Sequence, residues 1–194
     1  FTYVFYDVNQ WNEQEECSHQ QGCVAQPVNA HAYQMKFINS NPDVRISRGS
    51  SSITYRNYFI GNDRAKWVSR VKLYDEFTYQ NIYDHIDLRV YKEKGNLKYD
   101  FIIYPGGDPN DIVIQYEGVT GLSIEENNIK IVTSVNSLEE NIPLAYQLES
   151  GRQKKISFIY EIQNNNEVRL IASQKFNLEL PLIIDPEVVI STYS

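Results

Sequence analysis

The stretch Ile86-Asp87-Leu88-Arg89-Val90-Tyr91-Lys92-Glu93-Lys94-Gly95-Asn96-Leu97-Lys98-Tyr99-Asp100-Phe101-Ile102-Ile103-Tyr104 decides the fold. Two runs, 86–91 and 97–104, alternate apolar and polar residues with a period of two. A short Gly-containing loop, Lys92 to Asn96, joins them. That pattern predicts a β-hairpin. Alternation sets Tyr99, Phe101 and Ile103 on one face of the second strand and Asp100 and Ile102 on the other.

The same period recurs outward in both directions, and helix-period segments are nearly absent. On the N-terminal side, Phe1 to Tyr6 reads as extended, and His31 to Ile38 alternates up to the turn cluster Asn39-Ser40-Asn41-Pro42. Thr54 to Ile60 is a further candidate strand, closed by Gly61-Asn62-Asp63. Asp63 is placed to N-cap one helical turn, Arg64 to Trp67, before Val71 to Tyr74 resumes the extended pattern. On the C-terminal side, Ile112 to Tyr116 is followed by Leu122–Ile124 and Ile129–Val132, which face each other across Glu125 to Asn128. Lys155–Ile162 and Glu167–Ala172 pair across Gln163 to Asn166, and Phe176–Leu180 and Leu182–Ile184 complete the series. Roughly a dozen short strands at this spacing predict an all-β chain with an antiparallel, sandwich-like architecture. It is built as one extended unit or two small packed ones, with at most one or two short helical turns. Residues 1–186 are expected to form the β-rich module, the least patterned seam being 92–96. Residues 187–194 are expected to begin a following region.

The composition fits this reading. The chain has 194 residues, 42% of them apolar, with 15 Tyr and 8 Phe, a bias suited to half-buried pleated surfaces. A net charge of −7 argues against a nucleic-acid partner, which requires clustered Lys and Arg. The basic residues are scattered along the sequence, and Arg152-Gln153-Lys154-Lys155 stands as the single local cluster, read as a solvated hairpin end. No apolar run approaches the roughly 20 residues needed to span a bilayer, so no membrane insertion is expected. The chain opens directly in a strand-like run and ends as abruptly, which suggests that both ends are cut.

Few residues invite chemistry. Cys17 and Cys23 close the polar loop Glu16 to Cys23, and a disulfide between them is expected in an exported protein. With His19 they could supply three metal ligands, but the spacing matches no common zinc motif. Asp84, Asp87 and Asp100 lie near the central hairpin, where Asp87 and Asp100 could meet as a carboxylate pair of the kind that hydrolyses glycosides. The plainer expectation is that Asp100 is solvated or anchors a turn. Asp108-Pro109-Asn110-Asp111 offers oxygen atoms for calcium but lacks a full calcium-loop pattern, and reads as a turn. Gly49-Ser50-Ser51-Ser52 is a link with no neighbouring acid or base, and Gly61 and Gly106-Gly107 lead into no helix that could cradle a phosphate. His19, His31 and His85 share no ligand spacing. Trp11 and Trp67 are candidates for sugar stacking, although a Trp beside a strand is more often core. No catalytic residue, metal ligand or cofactor is therefore expected.

One resemblance goes further. Asn57-Tyr58-Phe59-Ile60-Gly61-Asn62-Asp63, Trp67, Val71, Ile86-Asp87-Leu88, Val90-Tyr91, Gly95, Leu97, Tyr99-Asp100-Phe101 and Pro105-Gly106-Gly107-Asp108-Pro109 occur in a characteristic order. With Pro181 to Pro186 and Ser191-Thr192-Tyr193 they resemble a domain of unassigned function in large exported proteins of the Bacteroidetes type, which lies just before the β-propeller repeats called SBBP. The resemblance runs from about His31 onward. It departs from the family at Asp84-His85, where the family usually has Pro-Gly, and at Gly107, where it usually has Ala. It implies a secreted or cell-surface location and an adjacent propeller as partner. It also implies a non-catalytic module that orients or caps that propeller and contributes to adhesion or protein assembly. A carbohydrate-binding or glycan-processing module is the competing expectation, favoured by exposed Trp or Tyr beside Asp87 or Asp100 and opposed by a buried Trp67.

Overall fold

A computed structural model describes residues 1–18, 24, 26–93 and 96–189 of the chain. Two antiparallel sheets pack face to face, as the alternating pattern predicts. The five-stranded sheet runs β1 (Thr2–Tyr6), β2 (Ala30–Phe37), β9 (Val113–Glu117), β15 (Glu167–Ala172), β14 (Phe158–Gln163). The path of the nine-stranded sheet is β10 (Gly121–Glu125), β11 (Asn128–Val132), β12 (Ser137–Glu149), β16 (Leu182–Val189), β8 (Asn96–Ile103), β7 (Ile86–Glu93), β6 (Glu76–Tyr83), β3 (Arg45–Arg48), with β13 (Arg152–Ile156) also paired to β12. Among the described residues, β4 (Ser51–Tyr58) and β5 (Val68–Tyr74) pair only with each other.

The decisive hairpin is present in the expected register. β7 and β8 pair from Ile86↔Ile103 to Glu93↔Asn96, so the strands continue further into the expected loop than the alternation showed. Tyr99, Phe101 and Ile103 face inward and are buried with Ile86, Leu88 and Val90. Met35, Ile114, Tyr116, Phe158 and Leu170 of the five-stranded sheet join them in one hydrophobic cluster.

Beyond β3, β6 and β12, which are not predicted from the sequence, three departures have local physical causes. Val8–Ser18 forms an eleven-residue helix, α1. Asp7 caps it by accepting from Asn9 N at 3.1 Å and Gln10 N at 3.2 Å, and Asp followed three residues later by Gln is a start signal that the strand-rich context obscured. Lys155–Ile162 is two strands rather than one. The chain breaks at Ser157, so β13 pairs with β12 while β14 crosses to the other sheet. Phe176–Leu180 is not a strand, because Gln147 holds this segment as a loop: its Nε2 donates to Asn177 O at 2.7 Å and Leu180 O at 2.9 Å. Ser51 and Ser52, read as a link, open β4. β16 runs through Pro186 to Val189.

The turn between β6 and β7 couples His85 to Gly107. His85 has φ of 56°, a left-handed conformation that glycine adopts without cost and other residues adopt at about 1–2 kcal/mol. Its carbonyl accepts from Tyr104 N at 2.9 Å, which fixes the turn beside Gly107. A Cβ on Gly107 would stand 2.9 Å from that carbonyl oxygen. Gly107→Ala is therefore expected to lower stability by about 1–3 kcal/mol. Adding His85→Gly, which frees the turn to move, should recover part of the loss in a urea double-mutant cycle; strict additivity would refute the coupling.

Candidate functional site

The carboxylates singled out in the sequence sit on the outer face of the nine-stranded sheet. Asp87 lies opposite Ile102 and Arg89 opposite Asp100, so Asp87 and Asp100 are diagonal neighbours, about 7–8 Å apart at the backbone. Both are engaged by protein donors. Asp87 accepts from Asn81 N at 2.8 Å and from the Tyr104 hydroxyl at 3.2 Å. The first bond satisfies a bulge in β6 where Asn81 takes φ of 52°. Asp100 is buried and bonded to the Arg89 guanidinium and, at 3.1 Å, to the Tyr91 hydroxyl. Arg89 in turn lies over the Tyr91 ring, 4.9 Å from its centre. Asp100 is thus neither solvated nor a turn anchor; it is the centre of a cross-strand charge cluster. Asp84 is exposed in the turn, 3.8 Å from His85 Nε2.

The other expected residues fall as follows. Asp108 caps a single turn, Pro109–Asp111, accepting from Asn110 N at 2.9 Å, which is the turn role read from the sequence. His31 Nε2 and Nδ1 reach Gly118 O at 2.8 Å and Ser134 Oγ at 3.0 Å, tying β2 to two loops. Cys17 lies in the last turn of α1, whereas His19 and Cys23 lie outside the described residues, so the Cys17–Cys23 pairing stays an expectation. Among the described residues no group of three or more His, Cys, Asp or Glu is placed to hold a metal ion.

Glu140 lies in β12, a strand not predicted from the sequence, yet among the described residues it carries a dense polar constellation. It is 1% exposed, on the inner face of β12. Its Oε1 accepts from the Tyr99 hydroxyl at 2.9 Å and its Oε2 from that of Tyr116 at 2.7 Å. Tyr160 adds a bond at 3.4 Å and donates to Asn141 O at 3.0 Å. Asn141 opens a bulge that also contains Pro143, a position where a strand tolerates proline. Burial raises the Glu140 carboxyl above its ordinary 4.5, and the three tyrosyl bonds pull it part of the way back. Burial, and then the charge of Glu140, holds the hydroxyls of Tyr99, Tyr116 and Tyr160 well above their usual range. A carboxylate sealed between two sheets meets no substrate. Its chemistry is to join them.

The most exposed apolar surface is the β4–β5 hairpin. Ile53, Tyr55, Phe59, Ile60 and Val68 are each more than half exposed, and Ile53 is fully so. Trp67, expected in the core, is 36% exposed. It packs edge-on against Phe59 at 5.4 Å between ring centres and donates its indole N–H to Gly61 O at 3.1 Å. Asp63 N-caps the Arg64–Lys66 turn at the tip, as predicted, accepting from Ala65 N at 3.0 Å. The hairpin also gathers Arg56, Arg64, Lys66, Arg70 and Lys72 against the single carboxylate Asp63. Cations spread over 17 sequence positions therefore form a second basic cluster, which the linear reading missed. Trp11, the other stacking candidate, is half exposed on α1 beside Tyr6, 5.2 Å between ring centres.

The Glu140 cluster has a pH signature. A folded pKa above the unfolded one means that the native state keeps a proton the unfolded chain has released. Stability then falls as pH rises from 4.5 through the folded pKa and is level beyond it. Melting temperatures across this range should show that slope in the wild type and lose it in Glu140→Gln; parallel profiles would contradict the assignment. Glu140→Leu should cost about 1–3 kcal/mol for each tyrosyl hydroxyl left without a partner.

No curated protein and no solved structure matches this chain. The family described as "Domain of unknown function (DUF7948)" matches residues 1–187, and so includes β1 and α1 as well as the signature stretch. A match over nearly the whole sequence shows that the chain belongs to the DUF7948 family.

Proposed function

We propose that this domain is a non-catalytic β module of an exported, multidomain surface protein. In this reading it orients a following SBBP-type β-propeller and takes part in adhesion or protein assembly through its β4–β5 arm. The observation that carries the proposal is the arm: a two-stranded ribbon, paired with no other strand among the described residues, that leaves aromatic and aliphatic side chains in solvent. An isolated ribbon of this kind is marginal in water, and apolar surface left uncovered usually marks an interaction site.

Topology adds a second support. The arm is rooted between the C-terminal end of β3 and the N-terminal end of β6. Glu76 pairs with Tyr91, close to the Glu93↔Asn96 end of the sheet. β16 runs towards that same end, from Leu182↔Ile103 through Ile184↔Phe101. Three strand spacings, about 14–15 Å, separate β16 from β6. The described end of β16 thus lies beside the root of the arm, where a following domain would be joined in this reading.

The exported, Bacteroidetes-type context rests on the sequence resemblance. Carbohydrate binding is the second reading, favoured by the exposure of Trp67 and Trp11 and weakened by the engagement of Asp87 and Asp100 in hydrogen bonds.

Trypsin tests the leading reading. In dilute solution the isolated 194-residue chain should be nicked first at Arg56, Arg64, Lys66, Arg70 or Lys72. A longer polypeptide continuing into the following domain should resist cleavage there by about tenfold or more. Equal cleavage rates in the two proteins would contradict the proposal.

A further inference from the structure

The two tryptophans that the sequence marks for sugar stacking differ in what surrounds them. Trp67 spends its indole N–H on Gly61 O and packs edge-on against Phe59. The Arg64 guanidinium lies over its ring, 5.5 Å from the centre. A sugar would find the donor taken and one face covered. Trp11 is half exposed, and its indole N–H has no partner among the described residues.

Trp11, Gln14 and Glu15 share one face of α1, at the i, i+3 and i+4 spacing that brings side chains together. With Gln26 and Val28, from the segment before β2, they line a groove of about 420 Å³. The two walls are tied to each other. Asp7 N donates to Asn29 O at 2.9 Å, and Asn29 N donates to Gln10 Oε1 at 2.8 Å. Tyr6 packs against the Trp11 ring, 5.2 Å between centres, and limits its rotation. The groove is thus formed before a ligand arrives, which spares the cost of ordering it.

The lining selects the chemistry of the ligand. An indole ring packs on the C–H face of a pyranose as on any apolar plate. Each carboxamide sets an acceptor beside two donors, which matches the hydroxyls of neighbouring sugar carbons. Gln14 and Gln26 make no hydrogen bond to another described residue, so both can serve. Free charge is missing from the set. Glu15, the one charged residue of the described lining, already has a partner of its own, and residues 1–30 contain no Lys or Arg to meet an acidic glycan. The volume suits a small-ligand site, and five described lining residues fall far short of the roughly 20–30 a side of a protein interface. Among the described residues the other grooves lack this combination. Along β10–β12 no aromatic ring lines the walls. Between Asn39 and Arg169 the one ring is Tyr83, which is buried and bonded to Val113 O. Beside Phe176 the carboxamide is Asn110, which already donates to Asp108 at 2.7 Å.

We propose that the Trp11 groove binds a neutral glycan, with one sugar ring stacked on the indole and its hydroxyls held by Gln14 and Gln26. The proposal rests on the carbohydrate reading and gives it a site on α1, apart from the arm that is assigned to the following domain.

Affinity electrophoresis of the 194-residue protein tests this, in gels containing soluble β-glucan, xylan or galactomannan, with polygalacturonate as the acidic comparison. The protein should be retarded in at least one neutral gel and not by polygalacturonate. Trp11→Ala should weaken that binding about tenfold or more, and Gln14→Ala with Gln26→Ala by a similar factor. Trp11→Phe should keep part of it and Trp67→Ala all of it. None of these side chains belongs to the hydrophobic core cluster, so matching circular dichroism and melting profiles are expected. Retardation that survives Trp11→Ala overturns this site, and its loss in Trp67→Ala would keep the carbohydrate reading but move it to the arm. Retardation by polygalacturonate alone overturns the neutral class. No retardation in any gel overturns both the site and the carbohydrate reading. Trp11-dependent self-association in sedimentation, without retardation, would assign the groove to a second copy and equally overturn the proposal. The trypsin comparison reports the arm and is untouched by these results.

Discussion

The Glu140 carboxylate lies between two β-sheets and takes hydrogen bonds from Tyr99 on its own sheet and from Tyr116 and Tyr160 on the other. Burying a charge costs far more than burying a methyl group unless every lone pair is met. The constellation therefore exists only while both sheets stand in one relative position. Apolar packing holds the sheets together but fixes their alignment weakly, since hydrophobic contact is non-directional. The tyrosyl bonds supply the direction. Tyr33 stacks on Tyr3 and Phe5 at 5.2 and 6.0 Å between ring centres and extends the aromatic layer towards Tyr116. The abundance of tyrosine thus has a specific structural use.

A body held in this way shows how the module can carry an uncovered arm. β4 and β5 add no side chain to the central cluster, so their sequence is released from core packing and can retain exposed aromatics and cations. The outer-face charge cluster serves the same division. Arg89, Asp100 and Tyr91 engage one another across β7 and β8, which leaves the centre of that face occupied by its own contacts. The polar groups that would ordinarily advertise a catalytic cleft are spent on strand register and on the β6 bulge.

Much of this was legible in the sequence because the period-two signal is local. The β7–β8 and β10–β11 hairpins, the Asp63 and Asp108 caps and the inward face of Tyr99, Phe101 and Ile103 all follow from residues within a few positions of one another. What could not be read depends on distant partners. Ser137–Glu149 gives no strand reading at all, and Glu140 acquires its role only when Tyr116 and Tyr160 arrive from 24 and 20 positions away. The 176–180 segment has strand-like alternation, but Gln147, 30 positions earlier, captures its backbone. Trp67 follows the general rule for tryptophan only if a sheet covers it, and none does. Pairing also brings Arg56 of β4 alongside the strand that carries Arg70 and Lys72.

The central claim is that the two sheets form one cooperative body joined at Glu140 and that the arm opens independently of it. Native-state hydrogen exchange through a denaturant series reads this directly. Amides of β8, β9, β12 and β14 should exchange only through global unfolding, with one shared free energy and full denaturant dependence. Amides of β4 and β5 should exchange through a smaller opening with little denaturant dependence. Separate opening energies for the two sheets, or an arm protected to the same level as the core, would contradict the account.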